Sequence, residues 1–337
     1  MGIEGMIPKT FRGCVAVRRG GRDLIRQVTG YADLPNQVPN TMETRFASAS
    51  AGKVFVAAGI LQLIEQGEMA LHSTLGELLD MDLHRIDRFI TVEQLLCHTS
   101  GIPDYFDETV MEDYQELWKD FPNYKIRRNA DLLPLFIEKP MMYPAGTRFQ
   151  YNNSGYVMLA LIMEKVTGQP FDEYLQRAVF DPCGMARTGY YELDRLPAGC
   201  SDSYIFDSGN QGWRTNIFSV DAKGTGAGGA FVTVDDILRF WEHLLGGDLI
   251  SRNMRTEMLR VHSQDCQGKS RYGYGVWLRK ENGRVTPFFQ GCDPGVSFMS
   301  EYDPDTDTMA VAVSNYGDDV WDVMRRIREH FFRNSAL

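Results

Sequence analysis

The spacing of apolar positions changes along the first seventy residues. Residues 14–17 and 24–31 alternate in the manner of strands on either side of Gly20 and Gly21, which is typical of a β-hairpin. Beyond Ser50 the apolar positions recur at steps of three and four residues, at Val54, Ala57, Ala58, Leu61 and Ile64. This spacing predicts an amphipathic helix that ends near Gly67.

Strand-like runs return in the last third of the chain. They cover residues 272–279, 285–289, 296–302 and 309–314, and a helical pattern follows at 320–332. Helical patterns lie between the two strand regions, at 91–96, 156–167 and 233–245. We therefore predict an α+β fold, with an antiparallel sheet built from both termini, flanking helices and a largely helical insertion.

This pattern also suggests a division into domains. We expect residues 1–70 and 225–337 to form a discontinuous sheet domain and 71–224 a mostly helical one, with the active site in the cleft between them. Residues 104–139 are irregular, acidic and aromatic, and they are interpreted either as a mobile lid or as a simple helical insertion.

The charge balance bears on the partners of the protein. The 337 residues include 45 acidic and 35 basic side chains, a formal net charge of −10. Nucleic acid is excluded as a partner because phosphate binding needs clustered Lys and Arg. The longest apolar runs, 54–64 and 156–163, are shorter than the roughly 20 residues of a membrane span. No export signal is evident at the N-terminus, so a cytoplasmic protein is expected.

Metal and redox chemistry have no support in the motifs. The six cysteines form no C-x-x-C pair and the six histidines no H-E-x-x-H pattern. We expect neither a metal nor a cofactor.

One lysine has an unusual setting. Between Arg45 and Glu65 only Lys53 is ionisable near neutral pH, in a chain with 24% charged residues. It follows Ser50 by three residues, and on a helix this spacing brings a hydroxyl and an amine within hydrogen-bond reach. Poor solvation would lower the pKa of the amine, as a general base requires. The alternative is an exposed lysine on the polar side of the helix.

A second candidate pair is Tyr151 and Asn153. They follow a Pro-Ala-Gly turn and precede a helix, so their side chains can project into a cleft. A phenol beside a lysine can relay a proton, and an Asn amide can orient a substrate carbonyl.

Five motifs occur in an order that is itself informative. They are Ser50-Ala-Gly-Lys53, His98-Thr-Ser-Gly-Ile-Pro103, residues 144–156 with Tyr151-Asn-Asn153, Ala227-Gly-Gly229 and Tyr302-Asp-Pro304. Together they resemble the serine β-lactamase and penicillin-binding-protein-like superfamily of the class C type, which includes D-aminopeptidases, D,D-peptidases, family VIII carboxylesterases and acyltransferases. The resemblance extends over about residues 11–332.

The resemblance implies a role for each matching residue. Ser50 would be the acylated nucleophile, Lys53 and Tyr151 the general-base pair, and Asn153 a substrate-positioning residue. The oxyanion hole would use the backbone N–H groups of Ser50 and, by spacing, Cys292, just after Gly291. His98 would stabilise its loop and have no catalytic part.

One position departs from the family. Phe289 stands where a Lys or His is expected, six residues before Gly295. Losing that cation removes a charge-assisted contact to a substrate carboxylate, so β-lactams should be handled poorly and a neutral, apolar acyl or ester substrate is favoured. The alternative is that Phe289 is a packed sheet residue and the site is degenerate.

The sequence therefore predicts a serine hydrolase that cleaves small esters or amides through a Ser50 acyl-enzyme. Two alternatives remain: a D-amino-acid peptidase, amidase or weak β-lactamase of the same fold, or a non-catalytic binding protein that retains the fold.

Overall fold

A computed structural model describes residues 5–281 and 283–332. The helices are α1 Lys53–Glu65, α2 Leu75–Leu78, α3 Val92–Leu96, α4 Asn153–Thr167, α5 Phe171–Leu175, α6 Val234–Gly246, α7 Arg252–Met258 and α8 Val320–Ile327. The strands are β1 Gly13–Arg19, β2 Arg22–Thr29, β3 Tyr31–Asp33, β4 Val38–Pro39, β5 Phe46–Ala47, β6 Tyr204–Asp207, β7 Gly212–Thr215, β8 Phe231–Val232, β9 Ser263–Gln264, β10 Arg271–Tyr272, β11 Trp277–Glu281, β12 Arg284–Asp293, β13 Val296–Asp303 and β14 Thr308–Ser314.

An eight-stranded antiparallel sheet joins the two ends of the chain. Its order is β2-β1-β14-β13-β12-β11-β10-β9. The N-terminal hairpin pairs with the last strand through a register in which Ala16 faces Val311. The predicted α+β fold, with its sheet built from both termini, is therefore confirmed.

The alternation along the central strands creates two cores. In β1, Cys14 and Ala16 join the large core that contains α1, α4 and α6. Val15 and Val17 join a smaller core closed by α8. Since successive side chains point to opposite faces, helices cover both sides of the sheet.

Helix α1 is the centre of the larger core. Every residue from Lys53 to Leu61 is buried, so this helix is enclosed on all sides rather than amphipathic. Phe55 meets Phe180 and Phe240 edge-on with ring centroids 5.1 Å apart in each case. The chain enters α1 through a 3₁₀ turn, Ala49–Gly52, which carries Ser50.

The helical insertion packs against this core but is less regular than predicted. Residues 104–139 contain three short 3₁₀ segments, Tyr114–Trp118, Asn123–Lys125 and Asn129–Leu135. The domain boundaries at residues 70 and 224, and a lid movement of residues 104–139, stay predictions. Among the described residues, no helix is long and apolar enough to cross a bilayer.

Candidate active site

A cavity of about 750 Å³ opens where the Ala49–Gly52 turn, the start of α4 and the end of β12 meet. Five predicted site residues line it: Ser50, Tyr151, Asn153, Gly291 and Cys292. The other two, Lys53 and Phe289, are buried and do not line it. The tertiary structure thus brings together segments about one hundred and two hundred and forty residues apart in sequence.

The turn that carries Ser50 is held in a strained conformation. Ala49 has a φ of 48°, in the left-handed region that side chains disfavour. Its carbonyl accepts a hydrogen bond from the N–H of Gly229 at 2.9 Å. A Cβ on Gly228 would lie 2.4 Å from the same oxygen, so only glycine allows this approach. The glycine-rich segment 224–229 therefore holds the Ser50 turn in place.

Lys53 is enclosed, with 1% of its surface exposed, which excludes the exposed-lysine alternative. Its Nζ donates to Ser50 Oγ at 3.1 Å, to Asn153 Oδ1 at 2.8 Å and to the carbonyl of Ala227. Burial disfavours the ammonium and lowers the pKa of Lys53 to about 8, although nearby carboxylates oppose the shift. A substantial neutral fraction is thus available near pH 8 to accept a proton.

Tyr151 is fixed by aromatic neighbours. Its ring stacks on Trp277 with centroids 5.4 Å apart, and His98 contacts it at 4.5 Å. Lys53 Nζ lies 5.0 Å from the ring centroid. Burial raises the pKa of Tyr151 well above its usual value, even though a hydrogen bond with Ser50 lowers it. The phenol therefore keeps its proton at neutral pH and can relay one but not act as a stable phenolate.

His98 supports the loop before α4. Its Nδ1 accepts a hydrogen bond from the N–H of Asn152 at 3.1 Å, and its side chain is buried. This contact agrees with a loop-stabilising role.

Asn153 is positioned by a residue that the sequence did not single out. Asp104 accepts hydrogen bonds from the N–H groups of Asn153 at 2.9 Å and Ser154 at 3.0 Å, the first residues of α4. It also accepts from Asn153 Nδ2 at 3.3 Å, which turns Oδ1 toward Lys53. No spacing rule identifies Asp104, because it lies 49 residues before the helix that it caps.

The end of β12 passes close to Ser50. The β11–β12 ladder ends at the pair Trp277 and Phe288, so the next residues of β12 have the Ser50 turn beside them instead of β11. A Cβ on Gly291 would lie 2.2 Å from the Ser48 carbonyl and 2.7 Å from the backbone nitrogen of Ser50. The backbone of Gly291 and Cys292 thus adjoins the N–H of Ser50, as a two-donor oxyanion hole needs.

Gly291→Ala should therefore damage the site through the backbone. The added methyl group has no space, and a shift of β12 would misplace the N–H of Cys292, so kcat should fall about 10²-fold. Initial rates on a short p-nitrophenyl ester measure the effect. Gly212→Ala, in strand β7, is the matched control, because a Cβ at this position would meet no atom closer than 3.8 Å. Equal rates for both variants would contradict this reading of β12.

Phe289 does not take the predicted position. It is 2% exposed and does not line the cavity. Its ring packs on Trp241 at 5.2 Å, Phe298 at 5.9 Å and Phe240 at 6.1 Å. The expectation that Phe289 faces the substrate is wrong, since α6 covers this part of β12 with apolar side chains. The alternative of a packed sheet residue holds for Phe289, although Ser50 and Asn153 still contact Lys53 at the cavity.

The cavity lining is acidic. It carries the carboxylates of Glu108, Glu112, Asp113, Asp202, Asp221 and Asp293, and no Lys, Arg or His side chain among the described residues. Burial raises the pKa of Asp221 and of Asp293 to about 7, and the charge of Asp221 contributes to the shift of Asp293. These carboxylates were not singled out from the sequence, because they come from three separate loops and the end of β12.

Metal-ligand chemistry finds no ready site. Across residues 5–281 and 283–332, no group of three or more His, Cys, Asp or Glu side chains is arranged to hold a metal ion. The six cysteines are free thiols.

Comparisons with known proteins agree with the predicted family. The family model described as Beta-lactamase matches residues 4–332. Penicillin-binding protein 4* of Bacillus subtilis is 26% identical over 311 residues, which cover 86% of this chain but 64% of that protein. The chain thus spans less than two thirds of the length of this relative.

Two solved structures are similar over nearly their whole length. A penicillin-binding protein from Bacillus halodurans has a TM-score of 0.91 and 37% identity, with 95% of this chain and 97% of that chain covered. D-amino acid amidase from Ochrobactrum anthropi has a TM-score of 0.78 and 22% identity over 94% of this chain and 92% of that chain, a likeness of fold alone. The chain belongs to the beta-lactamase family, whose members include serine hydrolases.

Proposed function

We propose that this protein hydrolyses small amides or esters through an acyl-enzyme on Ser50. The observation that carries the proposal is the buried Lys53, whose amine contacts Ser50 Oγ and Asn153 Oδ1 at the floor of the cavity. Burying an amine costs free energy, because its charge is transferred out of water. Buried titratable groups of this kind cluster at functional sites, which is why Lys53 supports a catalytic role.

The first step is acylation. Ser50 Oγ attacks the substrate carbonyl carbon while neutral Lys53 accepts the hydroxyl proton, directly or through Tyr151. The N–H groups of Ser50 and Cys292 stabilise the oxyanion of the tetrahedral intermediate. As the intermediate collapses, the C–N or C–O bond breaks and the lysine ammonium returns the proton to the leaving amine or alcohol.

The second step is deacylation. A water molecule loses a proton to Lys53 and attacks the acyl carbon, the bond to Ser50 Oγ breaks, and the serine oxygen regains the proton. The products are a carboxylic acid and free enzyme, so the same base serves both halves of the reaction.

A D-amino-acid amidase or peptidase is the second candidate within this mechanism. The similar fold of the D-amino acid amidase supports it. β-Lactams and other carboxylate-bearing substrates remain disfavoured, because the described cavity lining offers no cationic side chain to their carboxylate.

A covalent probe tests the proposal. A fluorophosphonate should add its phosphonyl mass once per chain, and peptide mapping should place the adduct on Ser50. Absence of an adduct under conditions that label a known serine hydrolase, or an adduct elsewhere, would contradict the mechanism and favour the binding-protein alternative.

A further inference from the structure

The carboxylates that line the cavity beside Ser50 have little compensation inside the protein. Across the described part of the chain, Asp293 has no hydrogen-bonding or ion-pairing side chain within reach, and Asp221 receives only the Tyr114 hydroxyl at 3.1 Å. Other buried acids are paired with arginine; Glu301, for example, meets Arg279 and Arg328. The cavity thus concentrates carboxyl groups whose negative charge, when they are ionised, is paired with no basic side chain of the described cavity lining.

Lys53 does not neutralise this charge by direct contact. All three of its donors are directed to Ser50, Asn153 and the carbonyl of Ala227. Its ammonium is also the form that must be lost for catalysis. A cation supplied from outside is therefore what the carboxylates can still accept.

The two aspartates lie on segments that adjoin Ser50. Asp293 directly follows Cys292 in β12, whose backbone adjoins Ser50. Asp221 lies on the segment that leads into the glycine-rich residues 224–229 behind the Ser50 turn. Both line the same cavity as Ser50, so a ligand that reaches the hydroxyl can place a second group near them.

The aromatic lining is an independent sign of an organic cation. The cavity walls include the rings of Tyr105, Phe106, Tyr114, Tyr191, Trp277 and Trp321. Phe106 and Tyr114 meet edge-on at 5.0 Å, and the hydroxyl of the latter contacts Asp221. Aromatic faces attract alkylammonium groups, whereas an inorganic cation would need a tighter set of oxygen ligands.

We infer that the substrate carries an ammonium group near the scissile bond and that Asp221 and Asp293 bind it. The substrate class would then be amides or esters with a free amine, of which amino-acid amides are the simplest. This inference rests on the proposed function for its catalytic part, but it replaces the neutral, apolar substrate expected from Phe289. It leaves the stereochemistry of the substrate open.

Binding tests the inference without catalysis. In Ser50→Ala protein, calorimetry should show that phenylalanine amide binds about tenfold or more tightly than its N-acetyl derivative, which has lost the charge. Both enantiomers are titrated near neutral pH. Asp221→Asn and Asp293→Asn, introduced into the same background, should each remove most of that preference.

A control variant separates local from general charge effects. Glu68→Gln removes one negative charge from an exposed position beyond the end of α1, and it should keep the full preference. Circular dichroism verifies that each variant is folded.

Turnover by the wild-type protein provides a second measurement. Its kcat/KM is expected to fall in the order alanine, N-acetylalanine and N-succinylalanine p-nitroanilide.

The outcomes distinguish the two proposals. Equal or tighter binding of the N-acetyl compound, no measurable binding of either, or an unchanged preference in both aspartate variants would overturn the ammonium site. Ester hydrolysis that depends on Ser50 but shows no preference for an amine would overturn the ammonium site alone. Preferential amine binding by a wild-type protein that hydrolyses none of the substrates would overturn the hydrolase alone.

Discussion

Ser50→Ala is expected to lower the hydrolysis of a short p-nitrophenyl ester by about 10⁴-fold or more. No other hydroxyl or thiol of the described cavity lining is hydrogen-bonded to Lys53. Cys292 is nearby, and the residue as a whole is exposed. Its thiol is nevertheless partly shielded from water, which raises the pKa of Cys292 to about 11, so little thiolate is present. Initial rates at saturating ester measure the loss.

The fold should survive this change, since the hydroxyl of Ser50 contacts only side chains of the site. Ser208→Ala, in the exposed connection between β6 and β7, is the matched control and should keep wild-type activity. A Ser50→Ala protein that retained more than about a tenth of the activity would show that the reaction proceeds without this nucleophile.

Lys53→Met should lower kcat/KM by about 10³-fold and change its pH dependence. In the wild type the amine must be neutral to accept a proton, so activity should rise with pH through the pKa of Lys53, about 8. Because burial depresses this pKa, the base form is present at a pH where an exposed lysine would be almost fully charged. The rising limb should be absent in the variant, as full kcat/KM profiles from pH 6 to pH 10 would show.

Lys53→Arg provides the control for charge. A guanidinium keeps the positive charge but does not release its proton, so this variant should be as inactive as Lys53→Met.

The free energy of unfolding of Lys53→Met should change by only about 1–3 kcal/mol. The cost of leaving the Asn153 and Ala227 oxygens without a hydrogen bond is offset, because a buried charge no longer has to be desolvated. An active Lys53→Arg protein would assign Lys53 an electrostatic role and the base to another group.

Local sequence patterns predicted the main elements well. The N-terminal hairpin, α1, α4, α6 and the strands β12 to β14 follow from apolar periodicity and from turn residues, which act over a few positions. The pairing of both termini into one sheet followed from the class of fold. The resemblance of five ordered motifs predicted Ser50, Tyr151 and Asn153, which meet at the cavity, but also Phe289, which does not line it.

Contacts between distant segments were less accessible to such reasoning. Asp104, which orients Asn153, and Trp277, which stacks on Tyr151, have no local pattern that marks them. Phe289 was assigned to the site by its spacing, but the side chain turned out to pack under α6. A strand position specifies which face a side chain shares with its neighbours, whereas the element packed on that face decides what it meets.

The sequence alone determined the contact between Ser50 and Lys53, the proposed nucleophile and base, because they are three residues apart and one turn of backbone brings them together. It also determined the sheet, through periodicity and turns. Only the tertiary structure decided the character of the cavity, since its carboxylates and rings come from segments that are far apart along the chain. The physical reason is that the electrostatic potential in a cleft depends on all the charged groups that folding brings near it, and no single segment of the chain contains them all.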